Sequence, residues 1–110
     1  MPVKLTTKAV DKSTYVVNCA FKDENGDAVV PNELKWTLTD DAGTVINSRE
    51  DVVVAVPSSS EDIVLSGDDL KYSDGRHRIL TIEATYDSDA GSDLPLKESA
   101  KFMVDDLIVV

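Results

Sequence analysis

Cysteine is nearly missing from this 110-residue chain, where Cys19 stands alone. One thiol excludes an intramolecular disulfide and is too little for a structural zinc site, so the fold must rest on packing. Positive charge is scarce as well: 11 Lys and Arg face 21 Asp and Glu, a formal charge of -10. That balance repels a phosphate backbone and argues against nucleic acid as a partner. No apolar run is long enough to span a membrane, and Met1 to Lys8 lacks the apolar stretch of a secretion signal. The expectation is a chain with no signal peptide and no membrane partner, made and folded in the cytoplasm.

Catalytic patterns are absent too. His77 is the single histidine, and no Ser, Cys or second His is placed by pattern to complete a relay with it. The motifs G-x-S-x-G and H-E-x-x-H and the phosphate-cradling glycine loops do not occur, so no enzyme is expected. His77 reads instead as a partly exposed side chain where a strand begins. A 3.6-residue period is also missing, which limits helix to about one turn near Gly67 to Tyr72.

What the chain does have is alternation. Tyr15, Val17, Cys19 and Phe21 alternate with Val16, Asn18, Ala20 and Lys22; Leu34, Trp36 and Leu38 alternate with Lys35, Thr37 and Thr39. Leu80, Ile82, Ala84 and Tyr86 oppose Ile79, Thr81, Glu83 and Thr85, and Ala100, Phe102 and Val104 oppose Lys101, Met103 and Asp105. A period of two with one apolar side is what a half-buried strand requires. Shorter candidates are Val3 to Val10, Val45 to Asn47, Asp51 to Val56 and Asp62 to Leu65. Turn residues separate them, as in Glu24 Asn25 Gly26 Asp27, Asp40 Asp41 Ala42 Gly43 and Asp74 Gly75, because Gly and Asn tolerate the positive φ of tight reversals. Asp87 to Pro95 is expected as a long hairpin loop. The reading is one all-β sandwich domain over residues 1–110 with about seven or eight antiparallel strands.

Three constellations have a functional reading. Asp87, Asp89 and Asp93 place carboxylates at spacing two and four in a turn, the hard oxygen ligands that Ca²⁺ takes, although the glycine and glutamate of an EF-hand are out of place; a solvated acidic loop is the plainer alternative. Leu107, Ile108, Val109 and Val110 form a β-prone apolar segment that either adds to a partner's sheet or continues the last strand of its own. Cys19 shares a face with Val17 and Phe21 and has no cation beside it in sequence, so it reads as a small buried hydrophobe and not as a reactive thiol.

Trp36 sits centrally in its strand, about one hairpin after the strand of Cys19, where immunoglobulin-like domains place their core tryptophan. The run from Asp74 and Gly75 through Arg78, Ile79, Leu80, Thr81 and Ile82 to Asp87 resembles the turn and penultimate strand of bacterial immunoglobulin-like modules. A second Cys opposite Cys19 and a tyrosine-corner Tyr are both missing, so the likeness is to the wider sandwich class. Phe21 to Pro31, with Trp36 Thr37 Leu38 Thr39 Asp40, Gly43 to Asn47 and Tyr86 to Leu96, is similar to a group of small immunoglobulin-like proteins encoded by tailed phages and prophages. That resemblance implies a non-catalytic structural protein of the virion, assembled in the host bacterial cytoplasm. Its partner would be a capsid or tail component, or further copies of itself. The alternative is a bacterial recognition module for a carbohydrate or cell-surface partner. With Trp36, Phe21, Phe102 and Tyr86 assigned inward, Tyr72 and then Tyr15 would be its sugar-stacking rings.

Overall fold

In the computed structural model the described residues are 3–4 and 8–105. They form eight strands: β1 (Val3–Lys4), β2 (Ala9–Val10), β3 (Thr14–Ala20), β4 (Glu33–Thr39), β5 (Val52–Val53), β6 (Ser60–Ser66), β7 (His77–Ser88) and β8 (Gly91–Asp105). Two short 3-10 turns, Gly67–Leu70 and Tyr72–Asp74, stand where the sequence allows helix. One sheet runs β1–β8–β7–β4–β5, with β2 also on β8, and the other pairs β3 with β6.

Alternation set the faces as expected. Val17, Phe21, Leu34, Trp36, Leu38, Leu80, Ile82, Phe102 and Val104 are buried between the sheets, joined by Ile63 and Leu65 from β6. Each such side chain contributes about 1.5–3 kcal/mol by leaving water. Tyr15 of β3 stacks on Phe102 of β8 at 4.4 Å between centroids, which ties one sheet to the other.

Three expectations need correction. Within Val3 to Val10 the described strand residues, Val3–Lys4 and Ala9–Val10, run parallel to β8 and not antiparallel, with Val3 opposite Ala100 and Ala9 opposite Val104, and Lys8 is outside them. The chain passes from β2 into β3 of the opposite sheet, so no hairpin imposes antiparallel pairing on it. Asp87 to Pro95 is not a long loop: pairing continues to Ser88 opposite Gly91, with an irregularity after Tyr86. Polar residues suffice there because none of residues 87–93 is buried.

Residues 45–56 hold little strand. Val45 makes an isolated bridge to Thr39, and only Val52 and Val53 pair with β4. Asn47, Ser48 and Asp51 have φ between 50 and 57°, left-handed backbone that no strand accommodates. Leu38 N–H instead donates to the Arg49 carbonyl, and Ile46 N–H to the Leu38 carbonyl.

Candidate functional site

Strand directions bring three segments to one end of the sandwich: residues 21–32 before β4, residues 54–59 after β5, and the tip of the β7–β8 hairpin. The first is a self-supported turn. Asp23 accepts from the N–H groups of Asn25 and Asp27 at 2.9 and 3.0 Å, and Gly26 takes φ 83°. Phe21 N–H donates to the Ser59 carbonyl, which fixes the second segment to the first.

Glu24 then reaches the hairpin, where its Oε1 accepts from Tyr86 Oη at 3.2 Å and Ser88 Oγ at 2.8 Å. Asn32 Nδ2 donates to Asp87 Oδ1 at 2.8 Å and Asp93 Oδ1 at 3.1 Å. The Asp93 N–H and the Asn32 amide together hold the Asp87 carboxyl below its ordinary titration range. The result is one interlocked platform. Val30 and Val56 belong to its segments and are 57% and 85% exposed; residues 21–32 and 54–59 carry the carboxylates of Asp23, Glu24 and Asp27 and one cation, Lys22.

Of the suggested calcium ligands, Asp87 and Asp93 converge, but on the amide of Asn32. Asp89 is exposed at the hairpin tip, and no cluster of three or more acidic, His or Cys side chains suited to a metal ion occurs among the described residues. Leu107, Ile108, Val109 and Val110 lie outside the described residues. His77 is partly exposed at the start of β7, with Nδ1 3.4 Å from Asp41 Oδ2.

Cys19 is half-buried beside Val17 and Phe21, and burial, then the charges of Asp62 and Glu61, push its thiol pKa up. Alkylation of the native chain by iodoacetamide at pH 7.5 is therefore expected to be much slower than in denaturant. Equal rates would show an open, ionised thiol.

The opposite end holds a polar core that the sequence reading missed. Arg78 is fully buried. Its Nε donates to the Asp69 carbonyl at 2.9 Å, Nη1 to the carbonyls of Gly75 and His77 at 2.8 and 2.9 Å, and Nη2 to that of Lys71 at 2.6 Å. The signal was available, since the alternation that sends Leu80 and Ile82 inward sends Arg78 inward too. Asp69, also buried, accepts from Asn47 Nδ2, Arg49 Nε and Ser66 N–H at 2.9, 2.8 and 3.1 Å.

Burial alone would raise the Asp69 pKa, but the hydrogen bonds from Arg49, Asn47 and Ser66 outweigh it and the carboxyl titrates low. A depressed folded pKa gives stability that is present above the unfolded value of about 3.9 and disappears as pH falls through the folded one. Unfolding midpoints are accordingly expected to drop below about pH 4, and Asp69→Asn should cost about 1–3 kcal/mol at pH 7. The gap between the two proteins should close in acid. A constant gap would show that the charge of Asp69 does not matter.

Comparison of the chain with protein-family models, with curated proteins and with solved structures returned no match. The site must therefore be read from its own chemistry.

Proposed function

We propose that this protein is a non-catalytic binding module that docks another protein through its three-segment end. The observation that carries this reading is the platform itself: exposed Val30 lies on a segment that Glu24 and Asn32 fasten to the hairpin, and exposed Val56 on a segment tied to it through the Phe21 N–H and the Ser59 carbonyl. Apolar contact area inside a polar rim is the ordinary anatomy of a protein interface. The surrounding carboxylates favour a basic partner surface, and salt should weaken the association.

Pairing of β3 with β6, and of β7 with both β4 and β8, corresponds to the B–E and C–F–G pairing of immunoglobulin-like sandwiches, which supports that class for this chain. The virion assignment rests on the resemblance of Phe21 to Pro31 and its companion segments to phage proteins. On this reading the partner is a capsid or tail component. A carbohydrate ligand is disfavoured because Tyr15 is buried against Phe102 and Tyr72 is partly buried against the core, leaving no broad aromatic platform.

Particles purified from the host that encodes the chain are expected to contain it. A folded Val30→Asp, Val56→Asp variant should be lost from them. Recovery of the wild-type chain only in the free fraction would overturn the virion assignment. Undiminished incorporation of the double variant would overturn the docking surface.

A further inference from the structure

Asn25 and Gly26 stand at the tip of the turn that carries Glu24, and both are exposed. Gly26 takes φ 83°, and a Cβ built on it would meet nothing within 4 Å. With no side chain on Gly26, its backbone nitrogen is open to close approach by the side chain of the residue before it. The amide carbon of Asn25 is an electrophile, and the Gly26 nitrogen is the nucleophile placed to reach it through a five-membered ring.

The chain has four asparagines and no glutamine. Three of the four side-chain amides are firmly held. Asn18 Nδ2 donates to Ser60 Oγ and Asp62 Oδ1 at 3.1 and 2.8 Å, Asn32 Nδ2 to the carboxylates of Asp87 and Asp93, and Asn47 Nδ2 to the buried carboxylate of Asp69 at 2.9 Å. The residues that follow them, Cys19, Glu33 and Ser48, each carry a side chain that crowds the attacking nitrogen. Asn25 Nδ2 makes one longer contact among the described residues, to Glu24 Oε2 at 3.3 Å.

We propose that Asn25 is a self-modification site, where the folded chain converts the side-chain amide to a carboxylate and thereby releases Glu24 from the hairpin. In the first step the Gly26 nitrogen attacks Asn25 Cγ. A C–N bond forms, the Cγ–Nδ2 bond breaks, and the proton lost from Gly26 passes through solvent to the departing ammonia. Water then opens the cyclic imide. Cleavage at Cγ leaves an ordinary aspartate at position 25, and cleavage at the main-chain carbonyl leaves an isoaspartate, with the chain rerouted through the side-chain carbons. Gly26 N–H donates to the Asp23 carbonyl at 3.0 Å, and one exposed hydrogen bond of that kind slows the attack by about tenfold at most.

The consequence runs through Glu24. Its Oε2 accepts from the Asn25 amide while its Oε1 accepts from Tyr86 Oη and Ser88 Oγ. Exchanging that amide for a carboxylate removes a donor and sets two negative charges side by side, where residues 21–32 hold Lys22 as their one cation. Like charges at this separation repel. Glu24 is exposed, so it can turn into solvent and leave Tyr86 and Ser88 behind. The isoaspartate goes further, because its extra main-chain carbon falls inside the turn closed by Asp23 N–H on the Asp27 carbonyl and Gly26 N–H on the Asp23 carbonyl. The inference goes beyond the binding-module reading, since it concerns how long the platform stays locked and not what docks on it.

The full chain is held at pH 8 and 37 °C for several weeks, with circular dichroism showing that it stays folded. The tryptic peptide from Asp23 to Lys35 contains both Asn25 and Asn32, so mass spectrometry with fragmentation compares the two amides in one molecule. Acid is expected at position 25 well before it appears at Asn32, and a folded Asn25→Ser variant should gain none there. Two variants report the consequence in ¹⁵N spectra. Asn25→Asp should shift the amide signals of Tyr86, Ser88 and Ala90, whose N–H donates to Ser88 Oγ, whereas the uncharged Asn25→Ser should leave them in place. An Asn25 amide that lasts as long as that of Asn32 overturns the modification. Matching Asn25→Asp and Asn25→Ser spectra around Ser88 overturn the release of Glu24. No partner enters either measurement, so neither failure bears on the Val30 and Val56 experiment.

Discussion

Replacing Arg78 with methionine is expected to destabilise the fold by about 3–5 kcal/mol, the range found when one partner of a buried charged group is removed. Methionine resembles the aliphatic part of the arginine, so the cavity term is small. What is lost is donors. The carbonyls of Asp69, Lys71, Gly75 and His77 would remain enclosed without the guanidinium that now satisfies them, and an enclosed acceptor without a partner costs about 1–3 kcal/mol. Nor does an apolar isostere rescue the site, because backbone carbonyls cannot be substituted away as the second member of an ion pair can.

Burial lowers the pKa of Arg78, and the nearby charges of Asp74, Asp40 and Asp69 act against that shift. A guanidinium keeps its charge through the pH range in which proteins are folded. Arg78→Lys should recover only part of the loss, since one ammonium cannot reproduce a planar fork spread over several acceptors. Urea unfolding of the three proteins provides the measurement. A methionine variant within about 1 kcal/mol of wild type would mean that the turn at residues 67–75 is solvated, against the total burial seen for Arg78.

Why Arg78 escaped the sequence reading is instructive. Alternation reports which positions face inward, and it did so correctly for Leu34, Trp36 and Leu38 and for Leu80, Ile82 and Ala84. It cannot report that an inward position is satisfied by backbone carbonyls, because those acceptors have no side-chain signature. By sequence alone Arg78 looks like its neighbours Arg76 and His77, a polar residue where a strand begins. Asp69 was hidden differently: Ser66, three residues before it, stands at capping-box spacing, but the side chains of Asn47 and Arg49 come from a distant segment that no local pattern links to it.

Strand length was legible only where one face is buried. The hairpin around Asp89 buries neither face over residues 87–93, so its pairing leaves no hydrophobic alternation to read. In residues 45–56 the opposite happened, as apolar residues suggested strand while left-handed backbone at Asn47, Ser48 and Asp51 breaks it. The three-segment platform was not legible, because Asn32 to Asp87 and Glu24 to Ser88 are contacts between distant segments. Its ingredients, turns rich in Asp and Asn, were visible one by one.

Phe102→Ala tests the joint between the two sheets. Phe102 is 1% exposed on β8 and stacks on Tyr15 at an interplanar angle of 19°, so it spans the gap between a five-strand path and a two-strand sheet. Truncating a buried phenylalanine costs about 3–5 kcal/mol, from lost transfer energy and the cavity left behind. Tyr15→Ala adds a second measurement. If the rings interact as a pair, the double variant should be less destabilised than the two single losses combined, by about 0.5–1.5 kcal/mol. Strict additivity would mean that each ring contributes only its own burial. A Phe102→Ala cost under about 1 kcal/mol would mean that β3 and β8 do not meet through their aromatic faces, and the sandwich as described would have to be redrawn.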